Sequence, residues 1–223
     1  LARHGIGHTF SPTDVPYRAN IYALKSLGVK RVVSVSACGS LREAYAPGHV
    51  VIPDQIFDFT HKRERSFFGK GLVAHISVAE PFCKSLSDVL EEAVKTHNAP
   101  YHRGGTYITI EGPRFSTKGE SRLYRQWGLD IIGMTASPEV FLAREAEMCY
   151  TTMAHVTDYD VWHADEAPVT VEMLIKTLSK NVKLAQDTIR TMVDLIDPQS
   201  CCDCENALGS ALTTDPKAID PKK

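Results

Sequence analysis

The sequence lacks a large excess of charge of either sign and any long apolar run. Its 223 residues include 25 basic and 27 acidic side chains, so no global field favours nucleic acid or an anionic membrane as a partner. No stretch approaches the roughly 20 apolar residues that span a bilayer, and no signal peptide is visible. We therefore expect a cytoplasmic protein, of a length that suits one domain, that binds neither membranes nor nucleic acid.

Several signatures of nucleotide and covalent chemistry are also absent. The sequence has no G-x-x-x-x-G-K-[ST] loop and no G-x-G-x-x-G turn, so neither a nucleoside triphosphate nor a dinucleotide is indicated. It has no G-x-S-x-G elbow, which argues against the nucleophile of an α/β-hydrolase. The histidines lack the spacing of metal ligands, and we expect neither a metal nor a cofactor.

The six cysteines form two groups. The first lies in apolar stretches and is expected to consist of small core residues: Cys38, Cys83 and Cys149. The second is close to the C-terminus, where a disulfide, a metal site and free thiols are the possible interpretations: Cys201, Cys202 and Cys204. Zinc takes four ligands and no His or Cys follows Cys204, so one chain is not expected to complete a zinc site. A disulfide is the favoured interpretation, and the tail is expected to be weakly ordered.

Hydrophobic periodicity predicts helices that alternate with short apolar strands. The helices are predicted at residues 17–27, 120–127, 138–146 and 170–196. The strands are predicted at residues 31–36, 50–53, 107–110, 130–134 and 150–156. This alternation predicts an α/β fold with a central sheet flanked by helices. The first residues already form a polar motif without an initiator Met, and we expect a segment to precede them.

Polar motifs follow four of the predicted strands. They are Ser36-Ala37, the loop 111–116, Met134-Thr135 and the segment from Asp158 to Asp160. Because open α/β sheets bind ligands beyond the carboxyl ends of their strands, we expect these motifs to converge on one pocket.

Arg3 and His4 offer hydrogen-bond donors that suit an anion such as phosphate. The hydroxyl of Ser36, the backbone amide of Ala37 and the hydroxyl of Thr135 would add donors to the same anion. A solvated surface pair at Arg3-His4 and an ordinary turn at Ser36-Ala37 remain alternative interpretations.

Asp158 and Asp160 are the second chemical feature. Strand alternation places both carboxylates on one side, with Tyr159 opposite. Such a pair suits a heterocycle that has both an amino group and a basic ring nitrogen, because one carboxyl accepts a hydrogen bond while the other shares a proton. A helix N-cap or a metal-binding carboxylate pair is the alternative. The residues alone thus predict an α/β enzyme with a polar pocket.

Read together, the motifs resemble the trimeric branch of the purine nucleoside phosphorylases. The resemblance covers roughly residues 1–196 and rests on segments in the same order: residues 3–5, 37–40, 75–82, 111–116, 133–135 and 157–160. It implies a mixed central sheet flanked by helices in one nucleoside phosphorylase-like domain, residues 1–196, followed by a tail with the cysteine cluster, residues 197–223. The first phosphate loop of the family has no counterpart in these residues.

The resemblance also implies the reaction. Asp at both 158 and 160 is similar to members that act on S-methyl-5'-thioadenosine, whereas members specific for 6-oxopurines carry Asn at the first position. The implied reaction is phosphorolysis of S-methyl-5'-thioadenosine to adenine and 5-methylthioribose 1-phosphate, with inorganic phosphate as co-substrate and protonation of the purine N7 by Asp158. The alternative is a phosphorylase of broader specificity that accepts adenosine, inosine or guanosine.

Residue roles follow from the same resemblance. Phosphate would be held by Arg3, His4, Ser36, Ala37 and Thr135. The nucleoside would be bound by Phe115, Ser116, Met134, Thr157, Asp158 and Asp160. The methylthio pocket would be formed by His8, His75, Val171, Leu174 and Ile175. His75 matches a residue that reaches into the site of a neighbouring subunit, so a homotrimer or a dimer of trimers is implied.

Overall fold

The computed structural model describes residues 1–163, 171–200 and 202–219, and of residues 171–180 it describes the backbone alone. The strands are β1 (Arg31–Ser40), β2 (Val50–Ile52), β3 (Gln55–Phe59), β4 (Tyr101–Arg103), β5 (Thr106–Ile110), β6 (Ile131–Gly133) and β7 (Cys149–Asp158). The helices are α1 (Tyr17–Ser26), α2 (Lys84–Thr96), α3 (Lys118–Gln126), α4 (Ala136–Glu145) and α5 (Val171–Leu195). Two short 3-10 helices follow, at Asp203–Asn206 and Pro216–Ala218.

The seven strands form one mixed sheet in the order β3-β5-β6-β1-β7-β2-β4. β1 and β7 are parallel and pair from Arg31 and Cys149 to Gly39 and Asp158. β6 is antiparallel to β1 and pairs with it at Gly39 and Ser40, whereas β2 is antiparallel to β7. The predicted fold class, a mixed central sheet flanked by helices, is therefore confirmed.

Helices cover both faces of the sheet because alternate strand residues point in opposite directions. Met153 of β7 packs with α2 and α5 in one apolar cluster, beside Val33 and Val35 of β1. Tyr150 of β7 packs with α1 and α4 in another cluster, beside Val32. β7 is thus buried along its whole length, whereas in β1 alternate residues from Ser34 onward are buried.

Three elements were missing from the prediction: β3, α2 and β4. α2 buries Leu86, Leu90, Ala93 and Val94, which are spaced as one helical face, but polar residues around them obscured the pattern. β4 has only three residues, Tyr101-His102-Arg103, and pairs with β2 alone, so it offers no alternation to recognise.

The tail packs against the domain. Cys204 and Ala211 are buried, and Leu212 forms a β-bridge with Ala74. The expectation of a weakly ordered tail was therefore wrong for residues 202–219. Within the described part of the chain, no helix combines the length and apolarity needed to cross a bilayer.

Candidate active site

Two hydroxyl groups predicted to bind phosphate lie together in the middle of the sheet. Ser36 Oγ lies 3.1 Å from Thr135 Oγ1, and both residues are buried. The expectation that Ser36 and Ala37 follow the end of a strand was wrong, because β1 continues to Ser40. The antiparallel direction of β6 explains the contact, since β6 runs back along β1 and delivers Thr135 beside Ser36.

The side chain of Arg3 contacts the neighbouring part of β1, at Ser34 and Val35. Its guanidinium donates to Ser34 Oγ at 2.6 Å and to the Val35 carbonyl at 3.2 Å. It also forms an ion pair with Glu139 of α4 at 2.7 Å, and the hydroxyl of Tyr150 donates to the same Glu139 oxygen. Burial opposes the charge on Arg3, but the Glu139 carboxylate and the neighbouring tyrosines together outweigh it and hold the pKa of Arg3 above its usual range. Glu139, which sequence reasoning missed, thus orients the guanidinium.

His4 lies next to Arg3 and lines the same cavity. Its ring stacks on His8 with centroids 4.2 Å apart, and its Nδ1 lies 3.0 Å from the Phe10 carbonyl oxygen. Burial lowers the pKa of His4, which favours the neutral ring. Arg3, His4 and His8 line one cavity together with Ser34 and Glu139. Arg3 and His4 therefore offer donors suited to an anion in this cavity, whose lining does not include Ser36, Ala37 or Thr135.

Asp158 and Asp160 lie together at the end of β7, with only 6% and 8% of their surface exposed. Thr157 Oγ1 donates to Asp158 Oδ2 at 2.6 Å, and the backbone amide of Asp160 donates to Asp158 Oδ1 at 2.8 Å. A Cβ built on Gly39 would meet Asp158 at 3.0 Å and Asp160 at 3.4 Å, so the glycine of β1 allows both aspartates to pack over the strand.

Simple strand alternation does not explain why Asp158 and Asp160 lie side by side. Asp160 lies beyond β7 and has a left-handed backbone with φ of 52°. The pairing of β7 with β1 shifts between Val156 and Asp158, which leaves Thr157 as an extra residue in the strand. Such bulges redirect side chains, and here the bulge and the turn together place both aspartates over Gly39, with the Asp160 amide bonded to the Asp158 carboxylate.

The two carboxyl groups differ in their surroundings. The Oδ2 atom of Asp160 is buried without a hydrogen-bond partner among the described residues. Burial raises the pKa of Asp160, so this carboxyl retains a proton more readily than an ordinary aspartic acid. A buried, unsatisfied carboxyl oxygen is costly in the absence of a ligand and is suited to a polar ligand atom.

The loop 111–116 packs against Met134. A Cβ on Gly112 would lie 2.6 Å from the sulfur of Met134, and Gly112 has φ of 66°, so only glycine fits here. Phe115 is partly exposed, and Ser116 has its hydroxyl buried without a hydrogen-bond partner among the described residues. The structure therefore brings this loop and Met134 together, as the convergence of strand ends predicts.

Arg63 is a site component that sequence reasoning missed. Its side chain is 1% exposed and donates to the carbonyl oxygens of Met134 at 2.7 Å, Ser137 at 2.6 Å and Glu111 at 2.8 Å. It also pairs with the carboxylate of Glu111 at 3.3 Å. The buried guanidinium of Arg63 therefore links the loop 111–116 by hydrogen bonds to the segment that carries Met134 and Thr135.

Replacing Arg63 tests whether its side chain stabilises the contact between the loop 111–116 and the segment that carries Met134. In Arg63→Met the carbonyl groups and the Glu111 carboxylate would lose a charged donor, so we expect a loss of about 3–5 kcal/mol in the free energy of unfolding. Arg18→Met is the matched control, because Arg18 pairs with Glu64 on the surface and its replacement should change stability by about 1 kcal/mol or less. Urea unfolding of both variants measures the difference, and equal losses would contradict the assignment.

Four residues of the predicted methylthio pocket are not placed at the site by the described side chains. His75 is exposed, and its backbone amide donates to the Ala211 carbonyl at 2.8 Å. Val171, Leu174 and Ile175 lie at the start of α5, where the side chains are outside the described part of the chain. Their role stays a prediction.

The cysteines are arranged differently from the expectation. Cys202 and Cys204 are free thiols, as are Cys38, Cys83 and Cys149, so the predicted disulfide within the tail was wrong for the two described members. Cys201 lies outside the described residues. The sulfur atoms of Cys202 and Cys204 lie within 4.8 Å of those of Cys83 and Cys149. The argument that one chain lacks four ligands was therefore also wrong, because two core cysteines complete the set.

Comparison with known proteins identifies the family of this chain. Residues 1–194 match the model of the phosphorylase superfamily, and the chain belongs to that family. The S-methyl-5'-thioadenosine phosphorylase of Geobacter sulfurreducens is 52% identical over 220 residues, which cover 98% of this chain and 77% of the relative. The enzyme of that name from Pyrococcus furiosus is 50% identical over 208 residues, covering 93% of this chain and 80% of the relative.

Solved structures of methylthioadenosine phosphorylases are also similar to this chain. A methylthioadenosine phosphorylase from an antarctic soil metagenomic library superposes with a TM-score of 0.94 at 48% identity, covering 100% of this chain and 79% of that one. Methylthioadenosine phosphorylase from Schistosoma mansoni in complex with adenine superposes with a TM-score of 0.89 at 37% identity, covering 93% of this chain and 79% of that one.

Proposed function

We propose that this chain catalyses the phosphorolysis of S-methyl-5'-thioadenosine to adenine and 5-methylthioribose 1-phosphate. The observation that carries the proposal is the buried pair of Asp158 and Asp160 over Gly39, because two carboxyl groups match the ring nitrogen and the amino group of adenine. The names of the relatives described above agree with this reaction. Inorganic phosphate is the co-substrate, and no organic cofactor is required.

Phosphate binds along the middle of β1 in this proposal. The close hydroxyls of Ser36 and Thr135 offer donors, and Arg3 supplies a positive charge that Glu139 holds in place. His4 and the backbone amide of Ala37 complete the anion site. Fixed donors of this kind stabilise phosphate without reorganisation as it approaches the anomeric carbon.

The purine binds at the other end of the same strand. Ser36 and Gly39 are three residues apart on β1, which places the two ends of the site about 10 Å apart. This separation leaves room for a ribose between phosphate and base. Asp158 shares a proton with N7 of adenine as the glycosidic bond breaks, and Asp160 binds the exocyclic amine. Protonation of the leaving base stabilises an oxocarbenium-like transition state without a covalent intermediate.

The remaining residues bind the nucleoside. Phe115 packs over the sugar and base, Met134 lines the ribose, and Ser116 and Thr157 lie beside the aspartates. The methylthio group is enclosed by His8, Val171, Leu174 and Ile175, with His75 supplied by a neighbouring subunit. We infer a homotrimer or a dimer of trimers on this basis, and light scattering of the purified protein measures the mass that distinguishes them from a monomer.

Broader specificity is the second candidate. One related structure is described as an adenosine/methylthioadenosine phosphorylase of Schistosoma mansoni, at 38% identity and a TM-score of 0.88. Asp158 and Asp160 fit adenosine as well as S-methyl-5'-thioadenosine, because both nucleosides carry the same base.

A product assay tests both candidates. The protein is incubated with S-methyl-5'-thioadenosine, adenosine, inosine or guanosine, with and without phosphate, and the sugar product is identified by mass spectrometry. We expect S-methyl-5'-thioadenosine to give the highest kcat/KM and to yield a sugar 1-phosphate only when phosphate is present. Release of the free sugar without phosphate would identify a hydrolase and overturn the proposal.

A further inference from the structure

We propose that Cys83, Cys149, Cys202 and Cys204 form a structural site for one tetrahedral, thiol-preferring divalent cation, for which Zn²⁺ is the best match. The four sulfur atoms lie within 4.8 Å of one another, and Cys202 lies 3.2 Å from Cys149 and 3.7 Å from Cys83. This site is independent of the proposed reaction, because none of its residues belongs to the predicted phosphate or nucleoside site.

The distances suit a metal better than a disulfide. A Zn–S bond of about 2.3 Å in a tetrahedral site places sulfur atoms about 3.8 Å apart. A disulfide requires sulfur atoms about 2.05 Å apart and pairs only two of them. Four convergent sulfurs satisfy the coordination number of zinc, and an all-thiol set excludes hard cations such as Mg²⁺ and Ca²⁺.

The surroundings are built to hold these ligands. Cys83 and Cys149 are 5% and 6% exposed within the apolar cluster between the sheet, α2 and α5. The Cys83 amide donates to the Tyr150 carbonyl, and the Cys149 amide donates to the Lys30 carbonyl, so the backbone fixes two ligands on β7 and before α2. A set of four protein ligands, with no position left for water, is typical of structural rather than catalytic zinc.

Charge compensation supports the same conclusion. Four thiolates around Zn²⁺ carry a net charge of about −2, which is costly inside an apolar cluster. The guanidinium of Arg144 donates to Cys204 Sγ at 3.2 Å, and Ser85 Oγ lies 3.3 Å from Cys83 Sγ. Donors to ligating sulfurs are the usual outer contacts of such sites.

The metal would fasten the tail to the domain. Cys202 and Cys204 come from the tail, and beyond them Leu208 donates to Glu147 at 3.0 Å. Farther on, Thr213 donates its backbone amide to the Val73 carbonyl at 3.0 Å. The tail therefore holds the segment that carries His75, and loss of the metal should loosen both.

Metal content tests the proposal directly. The full-length chain is expressed in zinc-containing medium, purified with reductant and without chelator, and analysed by inductively coupled plasma mass spectrometry. We expect about one Zn²⁺ per chain, and at least a tenfold lower content in Cys204→Ser. Cys38→Ser is the matched control, because Cys38 is buried outside the cluster and its replacement should leave the zinc content unchanged.

A spectroscopic measurement covers the case in which Cys204→Ser does not fold. The wild-type protein is loaded with Co²⁺, and we expect sulfur-to-cobalt charge-transfer bands with the visible bands of tetrahedral Co²⁺. Hydrogen exchange of residues 202–219 should accelerate at least tenfold after chelation. Iron in place of zinc would support the site but change the metal. A reduced protein that takes up neither Zn²⁺ nor Co²⁺ would overturn the proposal, as would disulfides that persist in reductant.

Discussion

Asp158→Asn should lower kcat for S-methyl-5'-thioadenosine by about 100- to 10,000-fold, the usual contribution of a general acid. An amide donates a hydrogen bond to N7 but cannot deliver a proton as the glycosidic bond breaks. The change should appear in kcat more than in KM, because the interaction strengthens in the transition state. Steady-state kinetics at saturating phosphate measure both constants. Inosine turnover should fall less, because O6 of a 6-oxopurine accepts a hydrogen bond from the new amide.

Asp160→Asn is the comparison that assigns the proton to one of the two carboxyls. Burial raises the pKa of Asp160, so this neighbour is the alternative acid. If Asp160 only binds the exocyclic amine, its replacement should affect KM more than kcat. Wild-type turnover in Asp158→Asn together with a collapse of kcat in Asp160→Asn would move the acid to Asp160. Because a general acid must be protonated, activity would then fall as pH rises through the pKa of Asp160, which burial holds above that of an ordinary aspartic acid.

The sequence predicts this fold well where side chains respond to local periodicity. β1 contains Val32, Val33 and Val35, and β7 contains Tyr150, Thr151 and Thr152; these β-branched and aromatic residues made both strands recognisable. The end of β1 was less predictable, because residues 36–40 are all small and include a glycine, yet they remain in the strand. The direction of β6 was beyond local reasoning, so the sequence assigned Ser36 and Thr135 to one anion without showing how the strands bring the two hydroxyls together.

The site residues that escaped prediction act through contacts distant in sequence. Arg63 stands in Lys62-Arg63-Glu64-Arg65, which has the composition of a solvated turn. Its acceptors are carbonyl groups 48 to 74 positions away. Every residue has a backbone carbonyl group, so the sequence does not show which of them accept from Arg63. Likewise, Cys83 and Cys202 are 119 positions apart, a spacing that matches no short metal motif. Topology alone brings such groups together.

Arg3→Ala should raise KM for phosphate by about 30- to 1,000-fold, which corresponds to about 2–4 kcal/mol for a charged contact. The single variant has a second effect, because Arg3 also forms an ion pair with the buried carboxylate of Glu139. Leaving that carboxylate unpaired would destabilise the fold and confuse the kinetics. The double variant Arg3→Ala/Glu139→Gln removes the charge on both sides and is the cleaner test. Phosphate saturation curves at fixed nucleoside measure the change.

Two further variants show whether the effect depends on the position and geometry of Arg3. Arg18→Ala removes an arginine that pairs with Glu64 on the surface, and it should leave KM for phosphate unchanged. Arg3→Lys keeps the charge but loses the planar fork, so its KM should lie between those of Arg3→Ala and the wild type. A folded Arg3→Ala/Glu139→Gln protein with wild-type phosphate saturation would show that Arg3 has a structural role only. The anion would then have to be bound by His4, Ser36 and Thr135 without a fixed positive charge.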